Sequence, residues 1–224
     1  MTTYPGAIAL LDHADNPVRL ILASSSPYRA ATLTQLQWPF TQQAPNVDES
    51  PQPDEESADL ARRLAIMKAQ AIAPSDFPAV VIGSDQTGVC GTTPLTKPGS
   101  LARAVDMLLQ LQGSTAVFHS AVATVYWDHS GAPQPVVVTV IDTLVQFRRF
   151  TRAQLQRYVD IDETTQCAGA FKVEQLGIVL FEKVASEDPS ALIGLPAIAL
   201  SHMLMQYGID PIPVQNPVAD SPPA

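Results

Sequence analysis

The sequence predicts an α/β protein with a mixed central sheet and flanking helices, and three observations carry that expectation. Ala79-Val80-Val81-Ile82-Gly83 is apolar without alternation, the pattern of a strand buried on both faces. Arg19-Leu20-Ile21-Leu22-Ala23 has the same character. Helical and extended segments alternate along the chain around one central hairpin, as they do in layered α/β folds.

Taken in order, residues 1–17 are weakly patterned and are expected to form a loosely held amino-terminal extension. The strand at 19–23 leads into Ser24-Ser25-Ser26-Pro27-Tyr28-Arg29. Proline suits a helix's first turn, where its missing N–H costs nothing, and Ser26 can cap, so a helix is predicted over 27–37. A long helix is predicted from Asp54 to Ala73, since Leu60, Leu64, Met67 and Ile72 recur at helical spacing behind an acidic first turn. The strand at 79–83 is expected to stop there, with Asp85 and Gln86 at its exit. Residues 102–111 form a further predicted helix, stopped by Gly113. Extended stretches 115–127 and 136–149 flank Asp128-His129-Ser130-Gly131, which has hairpin chemistry. Thr151 is a suitable cap for a helix through Val159, 177–184 reads as a strand, and Pro196 starts a closing helix over 196–207. From Pro211 to 224 the proline-rich end predicts neither helix nor sheet but a flexible tail, leaving 18–210 as the folded domain.

The 224 residues suffice for one substantial domain, or two lobes sharing a sheet. A net charge of −9 argues against a nucleic-acid partner, whose backbone calls for a basic face. It also makes each cation informative if the substrate is anionic. No apolar run approaches the roughly 20 residues that span a bilayer, and no basic-then-apolar leader opens the chain. The expected setting is therefore cytoplasmic, without a membrane partner. Cys90 and Cys167 have no metal-ligand spacing and read as reduced thiols. His13, His119, His129 and His202 show no ligand spacing either.

In open α/β sheets, ligands bind beyond the carboxyl ends of the strands. Ser26-Pro27-Tyr28-Arg29 sits at such an end, where a helix start offers unpaired amides to phosphate oxygens and Arg29 adds a forked cation. The same residues also serve as a plain helix cap with a surface arginine. Glu49, in Asp48-Glu49, can pair with Asp85 around a divalent metal, since hard cations take a few carboxylates plus phosphate oxygens and water. The acidic cluster Asp54-Glu55-Glu56 reads as a solvated helix start. Lys68 and Lys97 are candidate phosphate contacts in a chain poor in cations. Small residues in Cys167-Ala168-Gly169-Ala170 permit close approach of a ligand, towards which Glu174 then points.

Together these segments resemble the Maf family of nucleoside triphosphate pyrophosphatases. Leu22-Ala23-Ser24-Ser25-Ser26-Pro27-Tyr28-Arg29, Val47-Asp48-Glu49, Lys68-Ala69, Gly83-Ser84-Asp85-Gln86, Lys97-Pro98, Cys167-Ala168-Gly169-Ala170 and Gly194-Leu195-Pro196 follow in the family's order, across about residues 19 to 210. The resemblance implies two lobes around a cleft, in a fold related to that of inosine triphosphate pyrophosphatases. It implies hydrolysis between the α- and β-phosphates with a divalent metal such as Mg, Mn or Co. Asp85 matches the family's proposed proton acceptor, with holding the metal beside Glu49 as its alternative role. Ser26, Arg29, Lys68 and Lys97 match the phosphate-binding residues. A homodimer is a further family trait.

Tyr28, Gln86 and Glu174 resemble the subfamily that hydrolyses 7-methyl-GTP. Methylation at N7 leaves the purine cationic, and an aromatic face attracts such a ring by about 0.5–2 kcal/mol. A carboxylate at Glu174 can accept from the guanine N1 and N2 donors. The subfamily usually has tryptophan where this chain has Tyr28 and arginine where it has Ala30, while Gln175-Leu176 replaces a commoner Glu-Gly. The alternatives are a pyrophosphatase for dTTP, UTP or other modified nucleotides, and a non-catalytic nucleotide-binding regulator of septum formation.

Overall fold

The computed structural model describes residues 2–3 and 8–215. In chain order it has β1 (Thr2–Thr3), β2 (Ile8–Leu11), β3 (Pro17–Ala23), α1 (Pro27–Gln35), β4 (Phe40–Gln43), α2 (Ser57–Gln70), β5 (Ala79–Cys90) and β6 (Thr93–Pro94). There follow α3 (Leu101–Leu111), β7 (Thr115–Trp127), β8 (Val137–Phe147), α4 (Arg152–Asp162), β9 (Phe181–Ser186), α5 (Ala197–Gln206) and β10 (Val214–Gln215). The main sheet runs β1-β4-β3-β5-β7-β8-β9 and is mixed: β3 pairs in parallel with β4 and β5, while β5, β7, β8 and β9 are antiparallel neighbours. The expected α/β class with a mixed central sheet is what the chain forms.

Two large apolar clusters lie at different ends of this sheet. One gathers Leu20, Leu22, Leu33, Ile82 and Leu200 beneath α1 and α5. The other gathers Leu108, Phe118, Leu155, Phe171 and Phe181 beneath α3 and α4. α2 covers the opposite face of the sheet through a small-residue stripe, Ala61, Ala65 and Ala69, packed on Ala121 and Ala123. Alanines there let a helix lie close on a strand.

Three boundaries differ from expectation in ways that bear on the site. β5 does not stop at Gly83. Its parallel partner does: Ala23, the last residue of β3, pairs with Gly83, and β5 then continues beside β7 to Cys90. Asp85 and Gln86 are therefore mid-strand residues, emerging where the parallel neighbour has ended. The acidic run 54–56 precedes α2 rather than opening it, with Asp54 at φ +59° in a turn. Residues 176–180 form a 3-10 turn before β9, because Ile178 and Val179 stay exposed and have no strand to join.

The ends are also tied down more than their composition suggests. β2, within the expected extension 1–17, pairs with β3 and buries Leu10 completely. β10, within the proline-rich segment, pairs with β2, and Trp38 Nε1 donates to Pro211 O at 2.8 Å. Residues 216–224 of the expected tail lie outside the described residues. No helix among the described residues is long and apolar enough to cross a membrane.

Candidate functional site

A cavity of about 560 Å³ opens between the two apolar clusters, within the roughly 300–1,000 Å³ usual for small-molecule sites. Ser26, Tyr28, Arg29, Glu49, Lys68, Asp85, Gln86, Lys97 and Glu174 all line it. Every site residue singled out from the sequence is thus brought to one place, although they come from the β3–α1 junction, the 44–56 loop, α2, β5 and two later loops.

The floor is set by how closely α2 lies on β5. A Cβ at Gly83 would lie 2.2 Å from Ala65 O and 2.4 Å from Ala69 N, so only glycine permits this approach. The approach carries Lys68 inward until it is 4% exposed, beside Asp85 at 8%. Lys68 Nζ donates to Asp85 Oδ1 at 2.6 Å and lies 2.6 Å from Glu49 Oε1. One buried ammonium thus joins two carboxylates. Burial alone pushes the Glu49 carboxyl up, but the hydrogen bond and charge of Lys68, with Arg29 and Lys97 behind it, outweigh burial and hold it below its usual range.

Arg29 stands over the same acid, Nη2 to Asp85 Oδ1 at 3.9 Å. Its Nε donates to Gly194 O at 3.0 Å and its Nη1 to Ser24 Oγ at 3.2 Å. Burial lowers the Arg29 pKa and Asp85 and Glu49 oppose that shift, so these two acids keep the guanidinium in place. Ser26 caps α1, its hydroxyl accepting from the Arg29 amide at 3.5 Å. Gln42 of β4 donates to Ser24 O at 2.9 Å and Ser26 O at 3.3 Å, fixing the serine loop.

Gln86 has a different first duty from the one expected. Its amide nitrogen is spent on Ser120 Oγ, Ala191 O and Leu192 O at 2.8–3.1 Å, leaving its carbonyl oxygen for a ligand. Ser84 Oγ lies 2.8 Å from Gly194 O. Ser84, Gln86 and Arg29 therefore all hold the 191–194 turn against the sheet. Asp188 braces that turn from behind: 1% exposed, it accepts from Ser190 N, Ser190 Oγ and the α5 amides of Ile198 and Ala199.

These supports were not found in the sequence. Ser84 adjoins the recognised acid, but nothing local shows that a serine in a strand will face a distant carbonyl. Asp188 looks like any surface acid in a loop. Arg63 is a third case. It donates to both Glu55 oxygens at 2.6 and 2.8 Å and to Ser50 O at 3.0 Å, clamping the loop that carries Glu49 onto α2. Lys172, two residues beyond the small-residue run 167–170, is a further basic side chain of the cavity.

At the other end Tyr28 is half-buried, its hydroxyl 3.9 Å from Cys167 Sγ. Burial, then Cys167, Glu174 and Asp162, push the phenol up to about 12. The ring stays neutral at any working pH. Cys90 and Cys167 are both free thiols.

Among the described residues no group of three or more His, Cys, Asp or Glu side chains gathers as a metal cage. The donor set nevertheless suits a hard cation. Asp85 and Glu49 each give one oxygen to Lys68 and keep the other, so a divalent ion would take these two and complete its shell from phosphate and water. A closed all-protein site is not what these residues build.

The Maf family model, described as Maf-like protein, matches residues 19–207. A 7-methyl-GTP pyrophosphatase of Bordetella pertussis is 45% identical over 196 residues, covering 88% of this chain and 96% of that protein. A 7-methyl-GTP pyrophosphatase of Thiobacillus denitrificans is 45% identical over 191 residues, covering 85% and 93%. The solved nucleoside-triphosphatase / dITP/XTP pyrophosphatase of Mycobacterium abscessus aligns at 14% identity with a TM-score of 0.35, over 59% of this chain and 75% of that one, too slight a likeness to add weight. A match over nearly the whole folded region, with relatives of this identity and coverage, establishes that the chain belongs to the Maf family.

Proposed function

We propose that this protein hydrolyses 7-methyl-GTP to 7-methyl-GMP and pyrophosphate. The observation that carries the reading is the floor of the cavity, where Lys68 joins Asp85 and Glu49 with Arg29 above them. Acids and cations in that arrangement suit a metal-bound polyphosphate. The relatives' name supports the substrate, and so does Tyr28 sharing the cavity with Glu174.

In the mechanism, Arg29, Lys97 and the cap hydroxyl of Ser26 take the phosphate oxygens. A water attacks the α-phosphorus in line, the bond from that phosphorus to the bridging oxygen breaks, and pyrophosphate leaves. Asp85 orients this water and takes its proton through the oxygen that Lys68 does not occupy. Lys68 fixes Asp85 and Glu49 in place, and its hydrogen bond and charge hold the Glu49 carboxyl below its usual range. A divalent metal, held by Glu49 with phosphate oxygens and water, would supply charge neutralisation at the phosphates, and holding that metal is the alternative role of Asp85. Charge stabilisation, rather than covalent catalysis, is the protein's contribution.

Tyr28 stacks on the methylated ring, and Glu174 accepts from guanine N1 and N2. The setting proposed is the cytoplasm, without nucleic-acid or membrane partners, and a homodimer is the proposed assembly. The test is a panel of 7-methyl-GTP, GTP, dTTP and UTP assayed for pyrophosphate with magnesium, manganese or cobalt. Pyrophosphate from 7-methyl-GTP above the others supports the reading. Preference for dTTP or UTP would transfer the substrate to that class, and binding without turnover would point to the regulator.

A further inference from the structure

We propose that Lys172 is a specificity-determining residue that donates to guanine O6 while Glu174 accepts from N1 and N2 on the same base edge. This rests on the base-site reading above. Of the basic side chains lining the cavity, Lys68 is committed to Glu49 and Asp85, and Arg29 to Gly194, Ser24 and Asp85. Lys172 makes no ion pair with any of the described residues, so its ammonium is available to a ligand.

Its backbone is fixed from three directions. The Tyr158 hydroxyl, on a residue 4% exposed, accepts from Lys172 N at 3.2 Å. Lys172 O accepts from Gln175 N at 3.2 Å. Gly177 packs so closely that a Cβ there would lie 2.4 Å from Lys172 O, which explains why glycine holds this position although its neighbours depart from the family pattern. An ordinary surface lysine needs no such frame.

The location is the Tyr28 end of the cavity. The charges of Lys172 and Glu174 both act on the Cys167 thiol, as Lys97 does more weakly, and that thiol lies 3.9 Å from the Tyr28 hydroxyl. Ammonium is a donor only and carboxylate an acceptor only. Lining one cavity two residues apart, they complement guanine, which presents O6 as acceptor next to N1–H and N2–H donors. Adenine offers an amino donor to the lysine and an unprotonated N1 to the glutamate, a mismatch at both.

The test is calorimetric binding of 7-methyl-GMP, GMP, IMP, AMP and pyrophosphate to the wild type, Lys172→Met and Lys172→Arg. The methionine variant is expected to weaken the three O6-bearing nucleotides about ten-fold or more, as loss of a charged hydrogen bond does. AMP and pyrophosphate should bind as before, and arginine should restore most of the loss. Equal weakening of AMP or pyrophosphate would make Lys172 a phosphate contact and overturn the proposal, as would no weakening at all. A wild type that binds AMP as well as GMP would instead remove the base-site reading itself, whatever Lys172 does.

Discussion

Lys68 donates to Asp85 across 2.6 Å from a helix to a strand, both side chains nearly buried. Taking either charge out of water is costly, and each is tolerated because the other is there. The pair is therefore both a structural joint and the foundation of the proposed chemistry.

Removing the ammonium should damage both. Lys68→Met leaves Asp85 buried without its partner and next to Glu49. A loss of about 3–5 kcal/mol in unfolding free energy is expected, measurable by denaturant titration, together with loss of pyrophosphate release. A variant of unchanged stability would show that the two charges are not mutually dependent.

Gly83→Ala probes the same joint from the backbone. The added methyl meets Ala65 O and Ala69 N, which cannot rotate away, so α2 must lift. Overpacking of this kind costs about 1–3 kcal/mol. The lift also draws Lys68 away from Asp85, and kcat should fall well beyond what the lower Tm explains at the assay temperature. Full activity in a normally folded variant would separate the helix position from the chemistry.

The clamp on the Glu49 loop gives a pH prediction. Hydrogen bonds from Arg63 first, and from the Gln52 amide, hold Glu55 at about 2 against its usual 4.5. A depressed carboxylate contributes stability above its unfolded value, and that contribution is lost as pH falls towards the folded one. The stability difference between wild type and Glu55→Gln should thus be constant above pH 4.5 and shrink between there and about 2. A difference independent of pH over that window would mean the clamp works through shape rather than charge.

Tyr28 offers a contrast of ring against hydroxyl. Since the phenol stays neutral, Tyr28→Phe should keep the preference for 7-methyl-GTP over GTP, whereas Tyr28→Ala should lose it selectively. The ratio of kcat/KM values measures this. Equal losses on both nucleotides in the alanine variant would make the ring a wall of the cavity rather than a stacking surface.

Much of this was legible in the sequence, for physical reasons that can be named. Apolar runs without alternation marked β3 and the first part of β5, and cap chemistry at Ser26 and Thr151 marked the starts of α1 and α4. The length of β5 was not legible. Ser84, Asp85, Gln86 and Thr87 look like a loop because polar side chains rarely continue a buried strand. Here each is satisfied by a remote partner, such as Gly194 O for Ser84 and Ser57 O for Thr87. The apolar Ile178 and Val179 misled in the opposite sense, their exposure being a tertiary outcome. Site residues with chemistry in their own side chains were found, Lys172 excepted. Those that act by holding a loop, Ser84, Asp188 and Arg63, were not, since their partners lie far along the chain.

The most direct measurement of the central claim follows products and binding together in wild type and Asp85→Asn. With 7-methyl-GTP and a divalent metal, the wild type should yield 7-methyl-GMP and pyrophosphate in equal amounts. Asp85→Asn should turn over about 10²–10⁴-fold more slowly, the usual effect of losing a general base, while still binding the nucleotide. Orthophosphate in place of pyrophosphate, or an asparagine variant as fast as the wild type, would contradict the account.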